Sequence, residues 1–191
     1  MSSALLVIDV QQSFEQRPFW TDADLPTFAE QLNRLIAGCE AAQIPVVNIL
    51  HVDGDAPFSK ASGWVKPMAF LRHTPAATFE KQVHNALTES GLLQWLHQRQ
   101  IKRLIISGIR TEQCCETTTR VASDLGFAVD FVTEATLTFA MTHTNGRVFS
   151  PAEIKERTEL VLARRFARIC TVADILAELS AIDRPRLQGV Q

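Results

Sequence analysis

Short apolar runs alternate along this chain with longer stretches in which apolar residues recur at helical spacing. Each apolar run is brief and lacks apolar–polar alternation, which predicts buried β-strands at 4–9, 45–51, 103–107, 128–132 and 167–171. Strands that are apolar on both faces are typical of a parallel sheet covered by helices on its two sides. The stretches between them predict helices at 25–42, 85–99, 113–125, 151–164 and 172–179.

Strand–helix alternation predicts a three-layer, doubly wound α/β fold with a Rossmann-like sheet. The length of 191 residues fits a single domain over 1–191, with a core at about 4–180 and a loose tail at 183–191. The segment 52–75 is a long loop without periodicity, which predicts either a lid or a subunit contact. Ligands of such folds bind beyond the carboxyl ends of the strands, so candidate chemistry is sought there.

Helix ends are marked by three local signals. Ser150 and Thr171 stand where a capping side chain is needed, each with an acidic residue three positions later. Gly126 follows the helical pattern at 113–125, where a left-handed residue ends a helix.

Composition narrows the class of function. A net charge of −2 and a pI of about 6.2 give no basic surface for nucleic acid or an anionic membrane. No signal-peptide pattern or membrane-length apolar run is present, and the four cysteines show neither CxxC nor zinc-ligand spacing. Reduced thiols and a cytoplasmic location are therefore expected.

Three residues could carry chemistry at the strand ends. Asp9 ends the first predicted strand, where it could accept a proton or simply cap a turn. Cys114 falls in the first turn of a predicted helix, where helix amides would lower the pKa of a thiol, although most cysteines are small core residues. Cys115 is its nearest rival. Lys81 precedes a predicted helix and taken alone is a solvated charge, but beside the other two it would keep both ionised.

Together these positions resemble the isochorismatase-like cysteine hydrolases, a family that includes nicotinamidases and carbamoylsarcosine and ureidoacrylate amidohydrolases. The matching motifs are Asp9-Val10-Gln11 with Phe14, Lys81 followed by Asn85-Ala86-Leu87, and Gly108-Ile109-Arg110-Thr111-Glu112-Gln113-Cys114-Cys115. The resemblance covers most of the chain and selects Cys114 over Cys115. It implies a six-stranded, mostly parallel sheet with helices on both faces.

The resemblance also implies a mechanism. Asp9, Lys81 and Cys114 would form a catalytic triad that cleaves a carbon–nitrogen bond of a small-molecule substrate through a thioester. The backbone amides of Arg110 and Cys114 would form an oxyanion hole beside a cis peptide between Ile109 and Arg110. Gln11 is expected near the substrate or in the turn, while Phe14 and Trp64 are expected to bind substrate or pack. No cofactor is implied, and a homo-oligomer, dimer or tetramer, is expected.

Three features of the chain, Arg110, its histidines and its cysteine, bear on which members of the family it resembles. Arg110 replaces a small residue, and its side chain either points away or reads an acidic substrate. Nicotinamidases bind a metal through Asp-x-His and a later His. This chain has the reverse order, His51-Val52-Asp53, and a distant His73. The difference predicts that the chain binds no metal and that nicotinamide is not its substrate. The cysteine itself argues against the vinyl-ether hydrolysis of isochorismatases.

Three alternatives stay open at this point. A nucleotide-dependent enzyme is disfavoured, because no glycine-rich turn follows the first strand. A non-catalytic binding or scaffold protein on the same fold would have no need of all three candidate residues. A thiol-redox protein would use the adjacent pair Cys114 and Cys115.

Overall fold

A six-stranded parallel sheet forms the centre of the computed structural model, in which the structure describes residues 2–54 and 56–182. The strand order is β3-β2-β1-β4-β5-β8, and every neighbouring pair is parallel. The strands are β1 Ser3–Ile8, β2 Val46–His51, β3 Ala77–Lys81, β4 Arg103–Ile109, β5 Ala128–Leu137 and β8 Arg168–Cys170. This confirms the doubly wound α/β architecture. The expected tail at 183–191 lies outside the described residues.

Helices cover both faces of this sheet. They are α1 Leu25–Ala41, α2 Leu92–Gln98, α3 Glu116–Asp124, α4 Pro151–Leu162 and α5 Val172–Ile182. In β1, Leu5 and Val7 pack into the core with α1 and α5, while Leu6 and Ile8 face the core with α2, α3 and α4. Because both faces of the central strands are buried, their sequences are apolar without alternation.

Strand β3 and the segment after it differ from the sequence prediction. Lys81 is the last residue of β3, a strand absent from the five predicted, and does not precede a helix. This edge strand alternates between half-buried and exposed residues, so it has no apolar run to reveal it. Of the helix predicted at 85–99, only Leu92–Gln98 is helical, as α2. Residues before it form turns, in which the Leu87 backbone N–H donates to Asn85 Oδ1 at 3.0 Å and Ser90 Oγ donates to the Ala86 carbonyl.

The predicted helix signals are confirmed. Ser150 Oγ accepts the Glu153 backbone N–H at 3.3 Å, and the Glu153 carboxylate accepts the Ser150 backbone N–H at 2.8 Å. The two reciprocal bonds form a capping box at the N-terminus of α4. Thr171 and Asp174 make the same reciprocal pair at α5. Gly126 is left-handed, with φ of 86°, one residue beyond the C-cap of α3.

Two irregular segments lie beside the sheet. The predicted loop contains a short 3₁₀ helix, Lys60–Ser62, and two buried residues, Phe58 and Met68, that join the core with α1. A small hairpin, β6 Met141–Thr142 with β7 Val148–Phe149, precedes α4. Within 2–54 and 56–182, no helix is long and apolar enough to cross a membrane.

Candidate active site

The side chains of Asp9, Lys81 and Cys114 meet at the carboxyl ends of β1, β3 and β4. Lys81 Nζ lies 2.7 Å from Asp9 Oδ2 and 3.4 Å from Cys114 Sγ. The side chains of Lys81 and Asp9 are both 0% exposed. A fully buried ammonium and carboxylate are costly to desolvate, so their pairing across 72 positions of sequence requires the tertiary fold.

Backbone geometry at the end of β1 aims Asp9 into the site. Asp9 is left-handed, with φ of 54°, and its N–H donates to the Ile49 carbonyl at 2.8 Å. Gly108 of β4 pairs with Ile8, and a Cβ at Gly108 would lie 2.0 Å from the Ile8 carbonyl oxygen. Only glycine allows this approach, which brings the turn carrying Cys114 beside Asp9.

Cys114 lies in a π-helical turn, Thr111–Cys115, that leads directly into α3. The Cys115 backbone N–H donates to the Arg110 carbonyl at 3.2 Å, and Thr111 Oγ1 donates to Thr136 Oγ1 at 2.8 Å. The peptide bond between Ile109 and Arg110 is cis, at the position the resemblance indicated. The thiol is therefore held at the beginning of a helical segment, where backbone N–H groups are available.

Electrostatics at Cys114 differ from the sequence expectation. Burial raises the pKa of the thiol, the Asp9 carboxylate raises it further, and the Lys81 ammonium only partly opposes them. The expected lowering of this pKa by the helix N-terminus was wrong, because desolvation of a thiolate outweighs helix amides. Cys114 therefore rests as a neutral thiol beside a carboxylate.

Burial would lower the pKa of Lys81, but Asp9 and then Cys114 raise it by more, so this group stays an ammonium. An ammonium has three N–H donors and no acceptor. Its third neighbour is His51 Nδ1, at 3.1 Å. His51 Nδ1 must therefore accept, and its Nε2 carries the proton. Burial, followed by the charge of Lys81, lowers the pKa of His51, which keeps the ring neutral.

Asp9 Oδ1, the second carboxylate oxygen, is buried and accepts no hydrogen bond within the described part of the chain. Its partner oxygen holds Lys81. A buried carboxylate oxygen without a donor is costly unless a reacting group supplies one. Asp9 can thus accept a proton from the adjacent thiol or from a ligand.

A cavity of about 180 Å³ opens over these residues. Its lining comprises Asp9, Phe14, Arg17, Phe19, His51, Asp53, Phe58, His84, Arg110, Gln113 and Cys114. Phe14 is thus placed where it can contact a ligand, as expected. Sequence reasoning missed Arg17, Phe19 and His84 as pocket residues, because they lie in irregular segments without a motif.

Two expected substrate contacts are not brought to the cavity. Gln11 is fully buried and both ends of its amide bind the backbone of His51: Oε1 accepts the N–H at 2.7 Å and Nε2 donates to the carbonyl at 2.9 Å. It therefore ties β1 to β2 and serves the turn. Trp64 is 39% exposed and stacks with the Lys66 ammonium outside the residues that line the cavity.

The potential metal ligands do not fit a metal centre. His73 Nε2 contacts Asn48 Oδ1 at 2.9 Å and does not line the cavity, and His51 Nδ1 is engaged by the Lys81 ammonium. Across residues 2–54 and 56–182, no group of three or more His, Cys, Asp and Glu side chains has an arrangement that could hold a metal ion.

Comparison with known proteins agrees with this architecture. The family model for the isochorismatase domain matches residues 3–174. YrdC of Bacillus subtilis, an uncharacterized isochorismatase family protein, is 26% identical over 91% of this chain and 94% of its own. A structure of an isochorismatase-family protein from Chromobacterium violaceum has a TM-score of 0.86 and 27% identity, with 94% of each chain covered.

A third relative matches only locally. Nicotinamidase 3 of Arabidopsis thaliana is 40% identical over 65 residues, which are 34% of this chain and 33% of that protein. The match of the family model over nearly the whole described chain is what decides the assignment. The chain belongs to the isochorismatase family of hydrolases.

Proposed function

We propose that this protein is a cysteine hydrolase that cleaves a carbon–nitrogen bond of a small amide, ureide or carbamoyl compound through a thioester on Cys114. The observation that carries the proposal is the buried Lys81 ammonium, which bridges Asp9 and Cys114, two residues that line a small cavity. The local similarity to a nicotinamidase, an enzyme named for an amide substrate, supports the same bond class.

In the first half-reaction, Cys114 Sγ attacks the substrate carbonyl carbon while its proton passes to Asp9. Because the pKa of the thiol is raised, the proton leaves as the carbon–sulfur bond forms, which is general-base catalysis of the attack. The Lys81 ammonium, 3.4 Å from Sγ, stabilises the negative charge that develops on sulfur. The backbone N–H groups of Arg110 and Cys114 hold the oxyanion.

The first half-reaction ends when the tetrahedral intermediate collapses, and the second is hydrolysis of the thioester. Asp9 returns its proton to the nitrogen, the carbon–nitrogen bond breaks and ammonia or an amine departs. Asp9 then takes a proton from water as the water oxygen attacks the thioester carbonyl. The product is a carboxylic or carbamic acid, and the proton held by Asp9 restores the Cys114 thiol.

The test is ammonia release from a panel of small amides, ureides and carbamoyl compounds, nicotinamide included, by the native protein, Cys114→Ala and the control Cys39→Ala. Cys39 is a buried thiol in α1, so its variant reports the effect of losing any cysteine. We expect turnover in the native protein and the control and none in Cys114→Ala. A thioester on Cys114, detected by mass spectrometry after rapid acid quench, identifies the intermediate. Equal turnover in Cys114→Ala would refute the mechanism.

The redox alternative receives less support. Cys115 is completely buried and burial raises its pKa well above the ordinary value, whereas the cavity is lined by Cys114. An external thiol or disulfide can therefore reach Cys114 but not Cys115.

We also propose that the enzyme works as a homo-oligomer in a reducing compartment such as the cytoplasm. The four cysteines are all free thiols in the structure. Leu160 of α4 is 78% exposed and Met141 of the hairpin 40%, and both line a groove of about 800 Å³ that could receive a second copy. Light scattering of native protein and Leu160→Ser tests the assembly: an unchanged mass would show that this surface is not the interface.

A further inference from the structure

We propose that the substrate of this site carries a carboxylate group, which Arg17 and Arg110 bind on the wall of the cavity. The inference rests on the proposed hydrolase function and specifies the substrate class. It decides between the two orientations that the sequence allowed for Arg110, because the side chain lines the cavity.

Arg110 provides buried donors without acceptors. The residue is 7% exposed, and its Nε is shielded from solvent with no hydrogen-bond partner within the described part of the chain. The guanidinium lies 4.8 Å from the Phe19 ring centroid and 5.8 Å from that of Phe139, so two aromatic rings fix its plane. A buried donor left without an acceptor is destabilising, and a ligand oxygen would satisfy it.

Glu112 only partly balances this cation. Its Oε1 lies 3.0 Å from an Arg110 terminal nitrogen, yet Oε1 has no hydrogen bond of good geometry, and Oε2 accepts the Thr138 hydroxyl at 2.6 Å. The carboxylate therefore offsets part of the guanidinium charge while leaving the Nε donor of Arg110 unpaired. A fork of N–H groups held in this way suits a planar carboxylate.

Arg17 supplies a second guanidinium to the wall of the cavity. It is half-buried, lies 5.1 Å from the Phe58 ring centroid and forms no ion pair with any side chain in 2–54 or 56–182. A second arginine in contact with the same small cavity raises the local affinity for an anion.

The acidic side chains around the cavity form no ion pair with Arg17 in the part of the chain that the structure describes. Lys81 is paired with Asp9 and Arg110 with Glu112. Asp53 is exposed, and its Oδ1 accepts the Gly54 backbone N–H. A neutral substrate would leave the Arg17 guanidinium without an ion-pair partner, whereas a carboxylate can pair with Arg17 and accept from Arg110 Nε.

The cavity also limits the size of the ligand. Its 180 Å³ is below the range of roughly 300–1,000 Å³ typical of sites for larger ligands. Phe14, Phe19 and Phe58 contribute apolar walls to the same cavity. The expected substrate is therefore a short acyl chain with an amide or carbamoyl group at one end and a carboxylate at the other.

The first experiment compares two substrates of nearly equal shape, succinamate and its uncharged diamide, succinamide. Ammonia release is measured for the native protein, Arg17→Gln, Arg17→Lys and Arg34→Gln, an exposed control with the same change in net charge. We expect kcat/KM to favour succinamate by about 10- to 100-fold, the range for a charge-assisted hydrogen bond. Arg17→Gln should lose that preference, Arg17→Lys should retain part of it, and Arg34→Gln should retain it fully.

The second experiment measures binding without turnover. Calorimetry with Cys114→Ala gives the dissociation constants of succinate and succinamide, with and without Arg17→Gln. Succinate should bind at least about 10-fold more tightly, and Arg17→Gln should abolish the difference. Equal or absent binding of the two compounds overturns the carboxylate inference, even if amides are hydrolysed. Selective succinate binding with no ammonia release from any amide would sustain the anion site and refute the hydrolase.

Discussion

Replacing Lys81 by methionine removes the charge at the centre of the site while keeping most of the side chain. The ammonium contacts Asp9 Oδ2, His51 Nδ1 and Cys114 Sγ at 2.7, 3.1 and 3.4 Å, and its side chain is 0% exposed. Methionine can fill the apolar part of this space. The Asp9 carboxylate then lies buried without its counterion, and Asp9 Oδ1 already lacks a donor.

Removing one partner of a buried ion pair costs about 3–5 kcal/mol, because the other charge stays desolvated. We therefore expect the free energy of unfolding of Lys81→Met to fall by about that amount at pH 7. The double variant Asp9→Asn/Lys81→Met has no buried charge at these two positions, and asparagine tolerates the left-handed backbone, so most of the loss should be recovered. Amide hydrolysis should be absent from both variants.

Urea unfolding, followed by the fluorescence of the three tryptophans, measures these energies by linear extrapolation. Lys102→Met is the control, since Lys102 is exposed and its replacement should change stability by no more than about 0.5 kcal/mol. If Lys81→Met unfolds within about 1 kcal/mol of the native protein, or the double variant is as unstable as the single one, the argument from buried charge is wrong.

The same pair predicts a dependence on pH. The folded-state pKa of Lys81 is raised, so the folded protein holds this proton more tightly than the unfolded chain does. Its contribution to stability is complete below the unfolded pKa of about 10.4 and is lost as pH rises through the folded value. Buried thiols with a raised pKa also lower the free energy of unfolding above about pH 8.5, and they do so in the native protein and in Lys81→Met alike. The Lys81 component is therefore the additional fall above about pH 10.4 in measurements between pH 8 and 11, and it should be absent from Lys81→Met.

Three further predictions concern the strand ends and the thiols. Gly108→Ala should lower the free energy of unfolding by about 3 kcal/mol or more, because a Cβ would lie 2.0 Å from the Ile8 carbonyl oxygen at a φ of 125°. In the control Gly54→Ala a Cβ would have nothing within 4 Å, so the free energy of unfolding in urea should change by no more than about 0.5 kcal/mol. Cys115→Ala should retain turnover that Cys114→Ala lacks, and an inactive Cys115→Ala that folds normally would favour the redox alternative. Alkylation of Cys114 by iodoacetamide, followed by peptide mass spectrometry, should keep accelerating through pH 9, since its pKa is raised; a plateau below pH 8 would contradict this.

The sequence determined the fold class because its main signals are local. Apolar runs such as 4–9 and 103–107 have the composition of doubly covered strands, and they lie within β1 and β4 almost as predicted. Ser150 with Glu153 and Thr171 with Asp174 mark their helices because capping bonds join residues three apart. Strand β3 was missed, since an edge strand is half exposed and owes its formation to pairing with β2.

The sequence motifs also selected Asp9, Lys81 and Cys114, but only the tertiary structure placed their side chains in contact. Their pKa directions could not be read from the sequence, because burial and the distances between partners decide them, and Cys114 shifts opposite to the local helix expectation. The sequence likewise carried no signal that Arg17 lines the cavity. Its role depends on lying over Phe58 in the same cavity as Arg110, which is 93 positions away in the sequence. Residues so far apart in sequence share a cavity only because the sheet brings the strand ends together.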